Sequence, residues 1–424
     1  MSKQISKSAE QIVLKDSSLN TAHVGISVFE PAKNKYWYNF NGDHYFVPAS
    51  NTKIPTCYAA MRYLGDSLTG ILKAEDDSAI IMLPAADPTL LHPDFKNQPV
   101  ISLLQKSTKR IYTSDLKWQT SSLGSGWSWN DYNEPYMAER SPMPVYGNVV
   151  KWIQDSSIDN EQTLVYSIPE VNWKVDFTTN QENNFHVERS VSENVYTISE
   201  GKGKFKAQYV PFATNGLRAA LELLPDTIHK NVELISAKDF QRFLNTTHPV
   251  TKVKTQPTDS LLRPMMHRSD NFFAEQTLLM VSNQLLGVMS DEKIIDTLLK
   301  TDFKDLPQKP RWADGSGLSR YNLYSPQDFV VLFNKMKNEF GMDRLKLIFP
   351  TGDEGTLTNY YKTESGYIFA KTGTLSGVVC LSGFLYTKKN RLLIFSVLVN
   401  NHNSSATAVR RAVEKFIEDI RNHF

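Results

Sequence analysis

Three short motifs place hydroxyl, amine and amide groups at spacings that suit acyl transfer. The first is the tetrapeptide SNTK, which begins at Ser50 and ends at Lys53. Residues three apart share one face of a helix, so the Ser50 hydroxyl is expected to lie beside the Lys53 amine. If burial lowers the pKa of Lys53, the neutral amine takes the Ser50 proton and creates a nucleophile without a histidine.

The S-x-x-K spacing is not specific by itself. The same pattern occurs at residues 114–117, 199–202 and 290–293, and these three copies are interpreted as solvated surface. Ser50 stands out only because two further motifs in the chain carry complementary groups.

The second motif is Ser269-Asp270-Asn271, in front of an apolar helical run. We expect Ser269 to pass a proton to a leaving amine and Asn271 to hold a substrate amide. The competing interpretation is a simple helix cap, because Ser, Asp and Asn all stabilise helix N-termini.

The third motif, Lys371-Thr372-Gly373-Thr374, follows a β-like run and is the most specific of the three. A glycine at a strand edge lets a substrate backbone lie close to the strand. Lys371 and Thr372 are expected to hold a substrate carboxylate. The N–H of Thr374, with that of Ser50, is expected to form an oxyanion hole. A turn between strands is the competing interpretation.

In this order, the three motifs form the set known from penicillin-binding proteins and β-lactamases. The sequence resembles the class C low-molecular-mass penicillin-binding proteins, the D-alanyl-D-alanine carboxypeptidase/endopeptidase family. Four further stretches carry the resemblance: residues 86–90, 126–131, 314–320 and 354–357. One departure is visible, because Ala85-Ala86 stands where the family usually has Gly-Gly.

The resemblance implies hydrolysis of peptidoglycan stem peptides through an acyl-enzyme on Ser50, with β-lactams as covalent inhibitors and without a cofactor or metal. Lys53 is the preferred general base because of its one-turn spacing, with Lys371 as the alternative. Acidic and basic residues of the family form a subsite for a diamino acid, and the matching residues here are Asp131 and Arg320. The residues expected to wall the stem of that side chain are Tyr136, Leu318 and Leu375.

Two other functions compete with the peptidase. A β-lactamase or esterase uses the same Ser-Lys pair, but the long insertion between Ser50 and Ser269 is more typical of the peptidases. A non-catalytic β-lactam sensor or cell-wall scaffold needs no turnover, yet all the reactive residues are present. A metallopeptidase is poorly supported, because the nine histidines form no H-E-x-x-H motif.

The fold class expected is α+β, a penicilloyl-serine transferase domain whose antiparallel sheet is flanked by helices. Strand-like runs lie at both ends of the chain, which indicates one sheet built from both termini. Residues 1–69 and 206–424 are predicted to form this catalytic domain. Residues 70–205 instead contain many short β-like runs. They are predicted to be a β-rich insertion of two small domains.

Composition limits the partners. The net charge is +2 over 424 residues, which gives no support for nucleic-acid binding, and no apolar run predicts a transmembrane segment. The resemblance implies a periplasmic or extracytoplasmic location, so we expect that a signal peptide has been removed. Cys57 and Cys380 are predicted to be buried free thiols. The oligomeric state is left open.

Overall fold

The secondary structure of the computed structural model covers residues 1–156, 163–178, 184–246 and 249–424. The strands are His23–Glu30 (β1), Lys35–Phe40 (β2), Ser67–Glu75 (β3), Ala79–Pro84 (β4), Arg110–Thr113 (β5), Val149–Asp155 (β6), Leu164–Ile168 (β7), Lys174–Phe177 (β8), His186–Arg189 (β9), Val195–Ser199 (β10), Phe205–Pro211 (β11), Val232–Leu234 (β12), Thr251–Pro257 (β13), Ile368–Leu375 (β14), Val378–Tyr386 (β15) and Leu392–Asn400 (β16). The α-helices are Ser2–Ser8 (α1), Lys53–Tyr63 (α2), Pro99–Lys106 (α3), Arg218–Ile228 (α4), Ala237–Thr246 (α5), Thr258–His267 (α6), Asn271–Leu286 (α7), Asp291–Lys300 (α8), Pro326–Phe340 (α9), Met342–Ile348 (α10) and Ala406–His423 (α11).

The central sheet is built from both ends of the chain, as predicted. Its strand order is β14-β15-β16-β1-β2, and every neighbouring pair is antiparallel. β1 pairs with β16 from His23 opposite Asn400 to Phe29 opposite Ile394. The α+β class is therefore confirmed.

Both faces of this sheet are covered, which explains why β15 and β16 are mostly apolar and buried along nearly their whole length. Side chains alternate between faces along a strand. Cys380 and Leu398 pack into a core with α2, α7 and α9. Val379 and Val399 pack on the other side against α11 and the N-terminal segment. The sheet thus lies between two helical layers, and the S-x-x-K helix α2 is in one of them.

The inserted region forms sheets of its own. In the described part of the chain they have the orders β12-β5-β4-β3-β13, β11-β6-β7 and β8-β10-β9. Two strands beyond the predicted boundary at residue 205 belong with the insertion, because β12 pairs with β5 and β13 pairs with β3. We propose that the insertion runs from about residue 67 to 257. Short edge strands carry too weak a pattern for the sequence to locate that end.

Tight backbone packing fixes the chain in front of α2. Ala49 has φ of +47°, in the left-handed region, and Ser50 lies in the 3₁₀ turn Ala49–Thr52. Gly317, with φ of +85°, presses on this turn: a Cβ there would lie 1.9 Å from the Ala49 carbonyl oxygen. A loop 268 residues away in sequence therefore holds the start of α2.

The state of the two cysteines matches the sequence. Cys57 and Cys380 are free and buried, as predicted. Within the described ranges, the helices include none with the length and apolar character that a bilayer crossing requires.

The crowding at Gly317 predicts a large effect of Gly317→Ala on the free energy of unfolding. Gly65→Ala is the matched control, because Gly65 has φ of +70° but no neighbouring atom within 4 Å of an added Cβ. We expect the control to lose about 1 kcal/mol from backbone strain alone. Gly317→Ala is expected to lose about 3 kcal/mol or more, because overpacking adds to that strain. Equal urea midpoints for the two variants would contradict this packing.

Candidate active site

Ser50 is held at the mouth of a cleft by bonds from its neighbours. The Thr52 hydroxyl donates to the Ala49 carbonyl oxygen at 2.9 Å. The Asn51 amide donates to Ser382 on the central sheet at 2.8 Å. Ser50 itself is left facing the cleft, which it lines.

Lys53 lies directly below Ser50 and is fully buried. Its Nζ is 3.0 Å from the Ser50 Oγ, 2.6 Å from the Asn271 Oδ1 and 2.7 Å from the Ser316 carbonyl oxygen. Burial lowers the pKa of Lys53 to about 8, against the opposing pull of the Asp314 and Glu275 carboxylates. A neutral amine has two N–H groups, which the two carbonyl-type oxygens accept. Its lone pair is then directed at the Ser50 hydroxyl.

A second lysine, Lys371, contacts the serine of the second motif, Ser269. Lys371, also fully buried, donates from Nζ to the Ser269 Oγ at 2.9 Å and to the Thr372 carbonyl oxygen at 2.8 Å. Burial lowers its pKa well below the usual value, and the nearby Lys53 lowers it further. Two ammonium groups this close in a dry site oppose each other's charge.

The Ser269-Asp270-Asn271 motif is both a helix cap and part of the site. Asp270 caps α7 by accepting from the Phe273 N–H at 2.9 Å. Ser269 has φ of +62°, an uncommon conformation for a non-glycine residue and one that often marks functional sites. Asn271 accepts from Lys53 and donates to the Tyr136 carbonyl oxygen at 2.9 Å. The helix-cap interpretation therefore applies to Asp270, and the active-site interpretation applies to Ser269 and Asn271.

The buried carboxylate of Asp314 organises the loop that follows it. It accepts from the N–H groups of Gly317 and Ser319 at 2.8 and 2.6 Å. This folds the loop so that the Ser316 carbonyl oxygen points at Lys53. The same carboxylate accepts from the Trp127 indole at 2.9 Å, which ties the inserted 126–131 stretch to the catalytic side.

Strand β14 runs beside Ser50, and Gly373 permits that approach. A Cβ on Gly373 would lie 3.1 Å from the Ser50 nitrogen and 2.6 Å from the Pro48 carbonyl oxygen. Any larger residue would push the strand away from the nucleophile. The backbone of β14 is thus next to the Ser50 N–H, where the sequence predicts an oxyanion hole.

A cleft of about 940 Å³ collects most of the predicted residues. Lys53 and Lys371 lie beneath its floor, and Gly373 backs onto Ser50. The predicted residues that line the cleft are Ser50, Asp131, Tyr136, Ser269, Asn271, Leu318, Arg320, Thr372, Thr374 and Leu375.

Asp131 and Arg320 are brought to this one cleft from patches 189 positions apart. Arg320 donates to the Ser376 carbonyl oxygen at 2.8 Å. The Asp131 carboxylate neighbours Tyr136. Burial and this carboxylate raise the pKa of the Tyr136 phenol to about 12. Both charged groups therefore line the same cleft.

Two of the cleft residues that sequence reasoning missed contact the side chains of Thr372 and Thr374. Arg410, on α11, donates to the Thr374 Oγ1 at 2.7 Å. Thr356 accepts from the Thr372 hydroxyl at 2.7 Å. Arg410 sits in a pair of arginines on an amphipathic helix, which indicates a solvated face. Thr356 belongs to the 354–357 stretch, which was noted only as a resemblance.

The other S-x-x-K copies are not solvated surface, so that prediction was wrong. Ser114, Ser199 and Ser290 are all buried. Ser290 caps α8 by accepting from the Lys293 N–H, and Ser199 pairs with the Thr178 hydroxyl at 2.8 Å. A serine in this pattern can serve the fold, because its hydroxyl bonds readily to nearby backbone.

Comparison with known proteins gives one consistent picture. The D-alanyl-D-alanine carboxypeptidase DacB of Haemophilus influenzae is 25% identical over 437 residues, covering 90% of this chain and 86% of the relative. The D-alanyl-D-alanine carboxypeptidase of Actinomadura sp. strain R39 is 23% identical, covering 97% and 84%. The crystal structure of penicillin binding protein 4 from Haemophilus influenzae matches with a TM-score of 0.74 at 19% identity, covering 99% of this chain and 98% of that one.

The family assignment rests on nearly the whole sequence. The profile of the D-Ala-D-Ala carboxypeptidase 3 (S13) family matches residues 5–420, a range that contains all three motifs and the entire insertion. The chain therefore belongs to the D-Ala-D-Ala carboxypeptidase 3 (S13) family.

Proposed function

We propose that this serine carboxypeptidase cleaves D-Ala-D-Ala ends, and D-centred cross-links, of peptidoglycan stem peptides through an acyl-enzyme on Ser50. The observation that carries the proposal is the Ser50 hydroxyl 3.0 Å from the buried Lys53 amine. The family match and the D-alanyl-D-alanine carboxypeptidases among its relatives support the same reaction.

Acylation begins when Lys53 takes the Ser50 proton and the Ser50 oxygen bonds to the scissile carbonyl carbon. The carbonyl π electrons move to oxygen, and the N–H groups of Ser50 and Thr374 stabilise that charge. When the C–N bond breaks, the leaving amine needs one proton. Ser269 supplies it, and Lys371 reprotonates Ser269 through their contact. The proton held by Lys53 then passes to Lys371, so that both lysines return to their starting states.

Deacylation reverses these roles. Water loses a proton to Lys53 and attacks the ester carbonyl, and the Ser50 oxygen leaves with that proton. One water is consumed, so the products are a shortened peptide acid and a free amine. Asn271 stays bonded to Lys53 and fixes the orientation of the amine throughout.

Four cleft residues suit the carboxylate of the leaving residue. Thr356, Thr372, Thr374 and Arg410 all line the cleft, and hydrogen bonds join Thr372 to Thr356 and Arg410 to Thr374. Since Arg410 donates to the Thr374 oxygen, the Thr374 proton is left to donate to a ligand. We assign to these groups the carboxylate next to the scissile nitrogen, with the guanidinium of Arg410 supplying positive charge.

The other charged pair suits a zwitterionic side chain. The free end of a diamino acid such as meso-diaminopimelate carries an ammonium and a carboxylate. Asp131 accepts from the ammonium and Arg320 binds the carboxylate. Tyr136, Leu318 and Leu375 then flank the methylene stem. The support is that all five residues line the cleft that contains Ser50.

Two wider features follow from this assignment. A peptidoglycan substrate requires an extracytoplasmic location, periplasmic where an outer membrane is present. β-Lactams are expected to acylate the chain, and penicillin binding protein 4 from Haemophilus influenzae has been crystallised in complex with a β-lactam.

The nucleophile is tested by the intact mass after incubation with benzylpenicillin. We expect one penicilloyl group per chain, located on Ser50 by peptide mapping, and no adduct in Ser50→Ala. The matched control is Ser290→Ala, which changes the serine of another S-x-x-K pattern and keeps the adduct. An unmodified wild-type mass, or a label on a different serine, rejects Ser50.

The Arg410 assignment predicts a change of specificity. Charge-assisted hydrogen bonds contribute roughly 1.5–3 kcal/mol, so kcat/KM of Arg410→Gln for an acyl-D-Ala-D-Ala peptide should fall about 10–100-fold. The same peptide with a C-terminal amide should change less than about 3-fold. Arg411→Gln is the control, because Arg411 bonds to Glu414 and the Asn359 carbonyl oxygen instead. Equal losses on both peptides would show that Arg410 does not bind the carboxylate.

A further inference from the structure

On one face of the small sheet β11-β6-β7, the two outer strands expose apolar and aromatic side chains, while Ile153 and Asp155 of the central strand are buried. The register places Tyr209 and Ile168 on either side of Lys151. Tyr166 lies opposite Ile153 in the next row on this face, and Phe205 and Leu164 flank Asp155 in the row after that. We call this surface the aromatic face, and it presents Lys151, Leu164, Tyr166, Ile168, Phe205 and Tyr209.

The exposure of these side chains is unusual for a sheet. The five apolar and aromatic ones are each between 40% and 54% exposed, whereas the solvent side of an antiparallel sheet is ordinarily polar. The opposite side carries Val150, Trp152 and Val210, which pack into a core with the neighbouring sheet. Scattered exposed apolar residues need no explanation, but a cluster on one face marks an interaction site.

The size of the aromatic face argues against a stable protein partner. At 40–54% exposure, its five apolar and aromatic side chains present on the order of 500 Å² of accessible surface. A stable protein interface buries roughly 800 Å² on each partner. A surface of this size suits a few sugar rings of a polysaccharide better than a folded protein.

The chemistry also fits a sugar polymer. The face of an aromatic ring is electron-rich and attracts the polarised C–H groups on the apolar face of a pyranose. Tyr166 and Tyr209 add phenol hydroxyls, and the Lys151 ammonium lies 5.6 Å from the centre of the Tyr209 ring. These groups can donate to ring hydroxyls and acetamido oxygens at the edges of a stacked sugar.

We propose that the aromatic face binds the glycan strand of peptidoglycan while an attached stem peptide occupies the Ser50 cleft; this rests on the proposed substrate. The inserted region is bonded to the cleft wall. The Arg189 N–H donates to the Asn133 side chain at 3.0 Å, and Asn271 donates to the Tyr136 carbonyl oxygen. Residues 133–136 thus join β9 to the catalytic site, and Gln208 of β11 bonds to Val187 of β9, so the sheet that carries the aromatic face is connected to the cleft wall.

The direct test is binding of a peptide-free sugar, the β-1,4-linked N-acetylglucosamine tetramer, by isothermal titration calorimetry on the full chain. We expect the wild type to bind it and the double variant Tyr166→Ala/Tyr209→Ala to bind at least 10-fold more weakly. Tyr209→Ser is a milder second variant with the same expected direction. Phe177→Ala is the control, because Phe177 is 56% exposed on β8, outside the aromatic face.

Kinetics separate this proposal from the proposed function. On insoluble peptidoglycan, the double variant should lose at least 10-fold in kcat/KM, with less than 2-fold change on a soluble D-Ala-D-Ala peptide. Wild type that binds the tetramer but hydrolyses no peptide would contradict the peptidase and support the aromatic face. No tetramer binding by wild type, equal binding by the double variant, or a wild-type dimer that the variant disrupts would overturn the aromatic face as a glycan site.

Discussion

The catalytic part of the structure depends on one buried amine with three partners. Lys53 gives its two N–H groups to oxygen acceptors on Asn271 and Ser316, and its lone pair then faces Ser50. Burying a charge is costly, so the dry site itself favours the neutral, basic form. Aqueous lysine would be a poor base at neutral pH because nearly all of it is protonated. Burial lowers the pKa of Lys53, while the nearby carboxylates of Asp314, Glu275 and Asp270 keep it from falling further.

The surrounding network serves to hold those acceptors in place. The Ser316 carbonyl oxygen is oriented by Asp314 on one side and by Glu275, which accepts from the Ser316 N–H at 2.7 Å, on the other. Glu275 is itself buried. Desolvation first, and then Asp314, raise its pKa to about 7, against the pull of Arg140. Arg140 links Glu275 to Asp291, so the insertion supplies the cation that the catalytic side requires. This explains why the two parts of the chain meet at the cleft.

The sequence constrained the positions of the candidate active-site groups more tightly than the boundaries of the insertion. Ser50 and Lys53 are three residues apart, and Ser269 and Asn271 are two apart, so local geometry already constrains each pair. Strands at both ends were recognisable because they are long and continuously apolar. The pairing of β12 and β13 with strands more than 100 residues away is the basis for proposing a border later than the predicted residue 205, and sequence patterns do not show such long-range pairing. Arg410 was missed for a related reason: only the tertiary packing of α11 beside β14 turns one of two adjacent arginines toward the cleft.

The measurement that tests the central claim most directly is the pH dependence of Ser50 acylation by benzylpenicillin in the wild-type chain. The second-order rate constant for acylation, measured at penicillin concentrations far below saturation, should rise about tenfold per pH unit at acidic pH. It should level off near pH 8, where Lys53 loses its proton. The sign follows from the role, because only the neutral amine can accept the Ser50 proton. A rate constant that is flat from pH 6 to 9, or that keeps rising toward the ordinary lysine pKa of about 10.4, would contradict Lys53 as the base.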